Sequence, residues 1–367
     1  KIAADMAANG GYITEADLAN YQTLDGRYIS IDYRGYQIHT IAAPAGGGLI
    51  VKSLNIMEQF NLSSLSDPAW AAVVNQALAI AIESMGYDYE EADLNQVTSK
   101  DWARQQVQRI TVPQITTTDE SYNNNEQATF AEQQLQYLAQ ENNRGQHHEQ
   151  TTLTDWTSDS WGADSHHTTH FVTADCNGMA VSITQTVGPL FGSKVISPEL
   201  GFVYASTMGT YLSAAAQDPG ARPRTTIAPT MVTRNGELEL VLGAAGGLRI
   251  LSGIVQTLSR YIDRGMTLEQ AVAAPRIHPE VETDTTTGTR TIKPKYIHAE
   301  TTPRNGWSQA NIAAWEAAGF EIEANDSYGA FSRIHALAQP QPGTWQGAAD
   351  LDWEGTASAP ATSACNR

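Results

Sequence analysis

Only two cysteines, Cys176 and Cys365, occur in 367 residues, so no disulfide framework holds this chain together. One bond pinning the tail to an internal hairpin is the most they can form, and two separate thiols remain equally open. Basic residues are scarce, 22 against 40 acidic, and the net charge of -18 argues against nucleic acid or an anionic membrane as a partner. No apolar run reaches the roughly 18 residues of a membrane span. HExxH is absent, and Gly46-Gly47-Gly48 lacks a following Lys-Ser/Thr, so neither a zinc-protease helix nor a phosphate loop is present. His166, His167 and His170 with Asp164 fit no standard zinc spacing; no metal or cofactor is expected. His147-His148 reads as exposed linker. No signal peptide is visible, and Lys1 to Ala8 reads as a helix already under way.

Hydrophobic residues make up 41%, ample for a large core in one compact unit. Their distribution changes abruptly before residue 168. From Asp119 to Gln150 the chain reads DESYNNNEQATFAEQQLQYLAQENNRGQHHEQ, with only Tyr122, Phe130, Leu135, Tyr137 and Leu138 as anchors, a composition that buries little. A polar linker over about 120 to 165 is expected. Then come Phe171 to Ala174 and Met179 to Thr184, separated by Asp175-Cys176-Asn177-Gly178. Asn-Gly between apolar runs predicts a hairpin. Thr168 should open one strand, with Thr184 and Thr186 near the same sheet end on the other.

A cut on the amino side of Thr168 would place a hydroxyl and a free amine on one residue, and such an amine can serve as the hydroxyl's general base. Strand packing explains these threonines too, and the residues alone leave both readings open. Gly246-Gly247 likewise reads either as a strand-to-helix turn or as a pair of N–H groups aimed at an oxyanion. Ile250, Leu251, Ile254, Val255, Leu258 and Ile262 follow on one helical face.

Thr168 to Gly192, TTHFVTADCNGMAVSITQTVGPLFG, resembles the start of the small subunit in gamma-glutamyltranspeptidases. Further similarity follows in order at Arg222 to Thr230, Gly243 to Ile250, Ile262 to Gly265 and Ala274 to His278, while Gly10 to Thr14, Tyr33 to Tyr36 and Pro44 to Gly48 resemble the end of the large subunit. The resemblance implies an α+β N-terminal-nucleophile hydrolase fold, with αββα layers and stacked antiparallel sheets, made as a precursor that cleaves itself between His167 and Thr168. Residues 1–167 would be the C-terminal portion of the large subunit and 168–367 the small subunit, interleaved in one domain. It implies Thr168 as nucleophile, Thr186 as its supporting threonine, Gly246 and Gly247 as oxyanion donors, and Thr225 and Thr226 in place of the serines that hold the substrate carboxylate. It also implies a periplasmic or secreted location. Relatives carry a long preceding region with a carboxylate-gripping arginine, so three readings stay open: that portion was removed, it exists as a separate N-terminal large-subunit chain, or this is a reduced relative with an incomplete site.

The glutamyl pocket departs from the family. Gly188, Thr207 and Thr210 stand where an asparagine, a glutamine and an aspartate hold the substrate's α-amino and α-carboxyl groups. An ammonium buried there would meet no carboxylate, which is costly. The stretch Leu212 to Ala221 is also short for a lid. Together these favour hydrolysis over transfer, on a small gamma-glutamyl-like or glutaryl-like amide. The competing expectation is an inactive or unprocessed homologue with a binding role.

Elsewhere, Thr14-Glu15-Ala16-Asp17 and Thr267 signal helix starts. Helices are expected over 48–60, 67–84 and 310–319, and strands at 28–31, 36–41, 230–232, 238–242 and 331–337. Tyr211, Arg222 and Arg224 border the substrate-loop region, and Arg276 and His278 read as structural residues with a local ion pair.

Overall fold

The computed structural model describes residues 1–23, 25–84, 98–115, 166–189, 191–197, 199–207, 225–284, 289–303, 305–327, 329–341, 343–350 and 355–359. The expected linker, Tyr211, Arg222, Arg224, Thr210, Asp164 and Cys365 lie outside them. Cys176 is half-buried and makes no disulfide among the described residues.

Short-range chemistry sets the first elements. Helix α1 spans Ile2–Ala8, and α2, Glu15–Asn20, starts at a reciprocal cap between Thr14 and Asp17. Strands β1 (Tyr28–Tyr33) and β2 (Tyr36–Ile41) join through Arg34 and Gly35, both at positive φ, the geometry a two-residue hairpin demands. Ile29, Ile31 and Tyr33 alternate inward. Arg34 pairs with Asp263, which also accepts from the Tyr33 hydroxyl at 2.6 Å.

Helices α3 (Gly47–Met57), α4 (Asp67–Glu83) and α5 (Lys100–Gln106) follow. The spacing of Ala71, Val74, Leu78 and Ile82 suggests one apolar face, yet α4 is buried all round from Pro68 to Ile82. It lies between α3 and a second sheet, so no face meets water. Next come β3 (His166–Ala174), β4 (Ala180–Pro189), β5 (Thr230–Arg234) and β6 (Glu237–Ala245). Then α6 (Arg249–Ile262), α7 (Leu268–Ala273), β7 (Ile277–Thr283) and β8 (Arg290–Glu300) lead to α8 (Gln309–Ala317), β9 (Glu321–Asn325), β10 (Arg333–Gln341) and β11 (Thr344–Ala349).

A six-stranded antiparallel sheet runs β1-β2-β5-β6-β10-β11. On β6 and β10 the even positions, Leu240, Leu242, Ala244, Ile334 and Ala336, join the core with α3 and α6. The odd positions face the β3–β4 hairpin, which stacks on β6 and β10. Antiparallel sheets stacked and flanked by helices are the layered α+β architecture that the resemblance implies. In the third sheet, β7-β8-β9, the β8–β9 pair is parallel. On the hairpin's outer face Phe171, Val181 and Ile183 remain exposed.

Candidate active site

Thr168 does not open its strand: β3 begins at His166 and runs through the expected cut. Its partner β4 changes register there. His167 pairs with Gly188 and Thr168 with Thr186, which leaves Val187 as the extra residue of a β-bulge opposite the 167–168 peptide. Bulges kink a strand and re-aim side chains. The Val187 carbonyl accepts from Ser206 N–H at 2.8 Å, and Gly188 takes φ +90.

The bulge brings two hydroxyls together. Thr168 Oγ1 donates to Thr186 Oγ1 at 3.2 Å, and Gly188 N–H donates to Thr186 Oγ1 at 3.0 Å. The third hydroxyl expected here, Thr184, turns instead to His170, with Oγ1 2.7 Å from Nδ1. The connecting loop is longer than a two-residue turn: Asp175 N–H donates to Met179 O, and Gly178 takes positive φ.

Gly188 and Thr207 are neighbours, since a Cβ built on Gly188 would lie 3.1 Å from Ser206 O and 3.5 Å from Thr207 N. No side chain fits at Gly188 without moving that loop. The position that departs from the family's asparagine therefore has its own backbone conformation.

A second group forms at the end of β6. Gly246 and Gly247 take φ +128 and +60, values that glycine alone adopts readily. Arg249 N–H and Ile250 N–H close the turn on the Gly246 and Gly247 carbonyls. Thr226 Oγ1 donates to Gly247 O at 2.8 Å, while Thr225 Oγ1 accepts from Ile227 N–H at 3.1 Å. The paired threonines thus brace the glycine turn and their own loop. Gly46, part of the family-like stretch Pro44 to Gly48, supports the same place: its N–H donates to Ile227 O, and a Cβ on it would meet Thr226 O at 2.7 Å.

His170, two residues after Thr168 on β3, is 2% exposed and rests on Gly243 of β6. Burial, with His335 close by, pushes its pKa down to about 4, so the ring is neutral at pH 7. Its spacing two residues after Thr168, in phase with that residue on the strand, was the sequence signal for it. Among the described residues His278 makes no ion pair; it bonds Ser252 Oγ through Nδ1 at 2.6 Å, buried in the protein. Arg276 does form one, with Asp350 at 2.6 Å. The cavity bounded by Trp70, Arg260, Pro275 and Trp307 includes none of the candidate residues. Among the described residues no cluster of metal-ligating side chains occurs.

Comparison with known proteins places these features. The chain is 33% identical over 285 residues to the acylase ACY 1 proenzyme of Pseudomonas sp. strain V22, covering 75% of this chain and 45% of that protein. It is 26% identical over 356 residues to the glutathione hydrolase proenzyme of Escherichia coli K12, covering 91% of this chain and 53% of that protein. The chain spans about half the length of the curated relatives it matches. In fold it is similar to the cephalosporin acylase of Bacillus halodurans, with TM-score 0.69 and 23% identity over 97% of this chain and 58% of that one. The family model described as gamma-glutamyltranspeptidase matches residues 1–360, the span that holds the hydroxyl pair, the bulge and the glycine turn, and the chain belongs to that family.

Proposed function

We propose that this chain is the catalytic part of a self-processing amidohydrolase whose nucleophile is Thr168. The observation that carries the reading is the Thr168–Thr186 hydroxyl pair, set on a bulge opposite the 167–168 peptide. In processing, Thr168 Oγ1 attacks the His167 carbonyl carbon, its proton passes to the departing Thr168 nitrogen, and an ester replaces the amide. Water then hydrolyses the ester, releasing the His167 carboxylate and a free Thr168 amine. Residues 1–167 and 168–367 become two pieces of one domain.

In the mature form the Thr168 amine accepts the hydroxyl proton as Oγ1 attacks a substrate amide. Thr186 Oγ1, held by Gly188 N–H, lies 3.2 Å from Thr168 Oγ1 and fixes its rotamer, while the Thr168 proton turns to the amine. Consecutive positive φ values at Gly246 and Gly247 turn successive N–H groups into a concave anion site suited to the developing oxyanion. The leaving amine takes the proton back, and water resolves the acyl-enzyme.

The acyl group we favour lacks an α-amino group. Gly188 and Thr207 supply no carboxylate to an ammonium, and two relatives are named acylases. Glutaryl and gamma-glutamyl p-nitroanilides, assayed side by side on the full-length proenzyme, test this. The glutaryl compound should be hydrolysed with the higher kcat/KM, and Thr168→Ala should abolish hydrolysis of both. Preference for the gamma-glutamyl compound would overturn the substrate assignment, and full activity of Thr168→Ala would overturn the mechanism.

A further inference from the structure

His170 occupies a place that the proposed chemistry does not use, and the strand beneath it is cut to fit. It is the next inward residue after Thr168 on β3, and its cross-strand partner Thr184 is the next inward residue before Thr186 on β4. Two polar rungs therefore stand side by side. Nδ1 lies 2.7 Å from Thr184 Oγ1, and Nε2 lies 3.4 Å from Ser182 Oγ. The edge of the ring between its nitrogens faces Gly243 of β6. A Cβ on Gly243 would lie 2.3 Å from Cε1 and 2.6 Å from both Nδ1 and Nε2, well inside van der Waals contact.

Gly243 does not take positive φ and sits within the antiparallel β6–β10 ladder opposite His335, one residue beyond the last β5–β6 pair, Thr230 with Leu242. Backbone conformation therefore does not require glycine there. A glycine inside a strand weakens it and marks a place where another group approaches closely, and here that group is the imidazole. Gly243 lies three residues before Gly246 on one strand, and His170 lies two residues after Thr168 on the other.

We infer that His170 seated on Gly243 is the spacer that sets the separation between the Thr168–Thr186 hydroxyl pair and the Gly246–Gly247 turn, so that His170 is a positioning residue for the reaction. The inference rests on the reading that Thr168 and the glycine turn act on one bond. The ring bonds across β3–β4 and rests on the facing sheet at Gly243, with His335 beside it. A shift there moves the nucleophile relative to the oxyanion site, and displacements of about 1 Å are enough to cost a reaction roughly a hundredfold.

The test is a double-variant cycle in the full-length proenzyme, with three readouts: the rate of cleavage at 167–168, kcat and KM for glutaryl p-nitroanilide, and thermal melting. Gly243→Ala should slow cleavage and lower kcat at least about tenfold, leaving KM within about twofold. Adding His170→Ala removes the ring that the new methyl strikes, so the double variant should be faster than Gly243→Ala alone. Packing without a positioning role would lower melting temperature and leave kcat per folded molecule unchanged. Wild-type rates in Gly243→Ala, or effects of the two changes that simply multiply, overturn the spacer. Should Gly243→Ala not fold, His170→Asn carries the test: kcat falls with KM retained, and an unchanged kcat overturns the inference. Thr168→Ala run in parallel separates the two claims. If it is inactive while the cycle is multiplicative, only the spacer falls; if it is active, the nucleophile reading falls and takes the spacer with it.

Discussion

Lowering the pH to about 4.5 should destabilise the fold by about 2.5 kcal/mol through His170 alone. The ring is 2% exposed, and burial, reinforced by the neighbouring His335, pulls its pKa from 6.5 to about 4. In the unfolded chain the imidazole takes its proton near pH 6.5, whereas the folded protein resists until about 4. Between those values the unfolded state holds more protons, so stability falls as pH falls and the loss levels off below 4. At about 1.4 kcal/mol per pKa unit the full gap is worth about 3.5 kcal/mol, most of it expressed by pH 4.5. His335 and His278 are also held below their ordinary values by burial and push the same way, so the His170 share must be isolated. Urea unfolding of wild type and His170→Gln at about pH 8 and pH 4.5 does this, because the variant's own cost cancels in each protein's pH difference. His170→Gln should lose less stability on acidification than wild type, by about 2 kcal/mol or more. Equal losses would show that His170 is not the depressed group.

Other perturbations reach different parts of the structure. Asp350→Ala strands the Arg276 guanidinium, whose side chains are 1% and 2% exposed as a pair, and should cost about 3 to 5 kcal/mol in urea unfolding; a loss under about 1 would mean that the charge is compensated elsewhere. Thr186→Val removes the acceptor of the Thr168 hydroxyl and should slow self-cleavage and lower kcat by about tenfold or more, with Thr186→Ser recovering most of it. Thr226→Val deletes the bond to Gly247 O at 2.8 Å and should lower kcat with KM little changed. Gly188→Asn, which copies the family's residue type, should destabilise by about 1 to 3 kcal/mol in thermal or urea melts, because φ +90 and Ser206 O at 3.1 Å leave its Cβ no room.

Much of the fold was legible because its signals are local. Arg34-Gly35 and Asn235-Gly236 sit at positive φ in tight hairpins, and Thr14 with Asp17, and Thr267 with Gln270, close reciprocal helix caps. The threonines and glycines of the candidate site stood out for the same reason. The bulge at Val187 is a register shift between strands, and Gly188-Pro189 is the local mark of it in β4. What was hidden depends on partners far along the chain. Gly243 reads as an ordinary weak strand position until His170 is placed on it. The burial of α4 on every side reflects the β7–β8 sheet packed against it, a sheet formed more than 190 residues later. The Ser252–His278 bond and the Arg276–Asp350 pair likewise join elements that sequence patterns do not relate.

The account stands on the 167–168 peptide being opened by Thr168 itself. N-terminal sequencing of the purified full-length proenzyme, wild type beside Thr168→Ala, tests that most directly. Wild type should yield a fragment beginning Thr-Thr-His-Phe-Val, and Thr168→Ala should stay in one piece. A wild-type chain that hydrolyses the amide substrate with no such fragment, or a Thr168→Ala chain cut at the same bond, would contradict it.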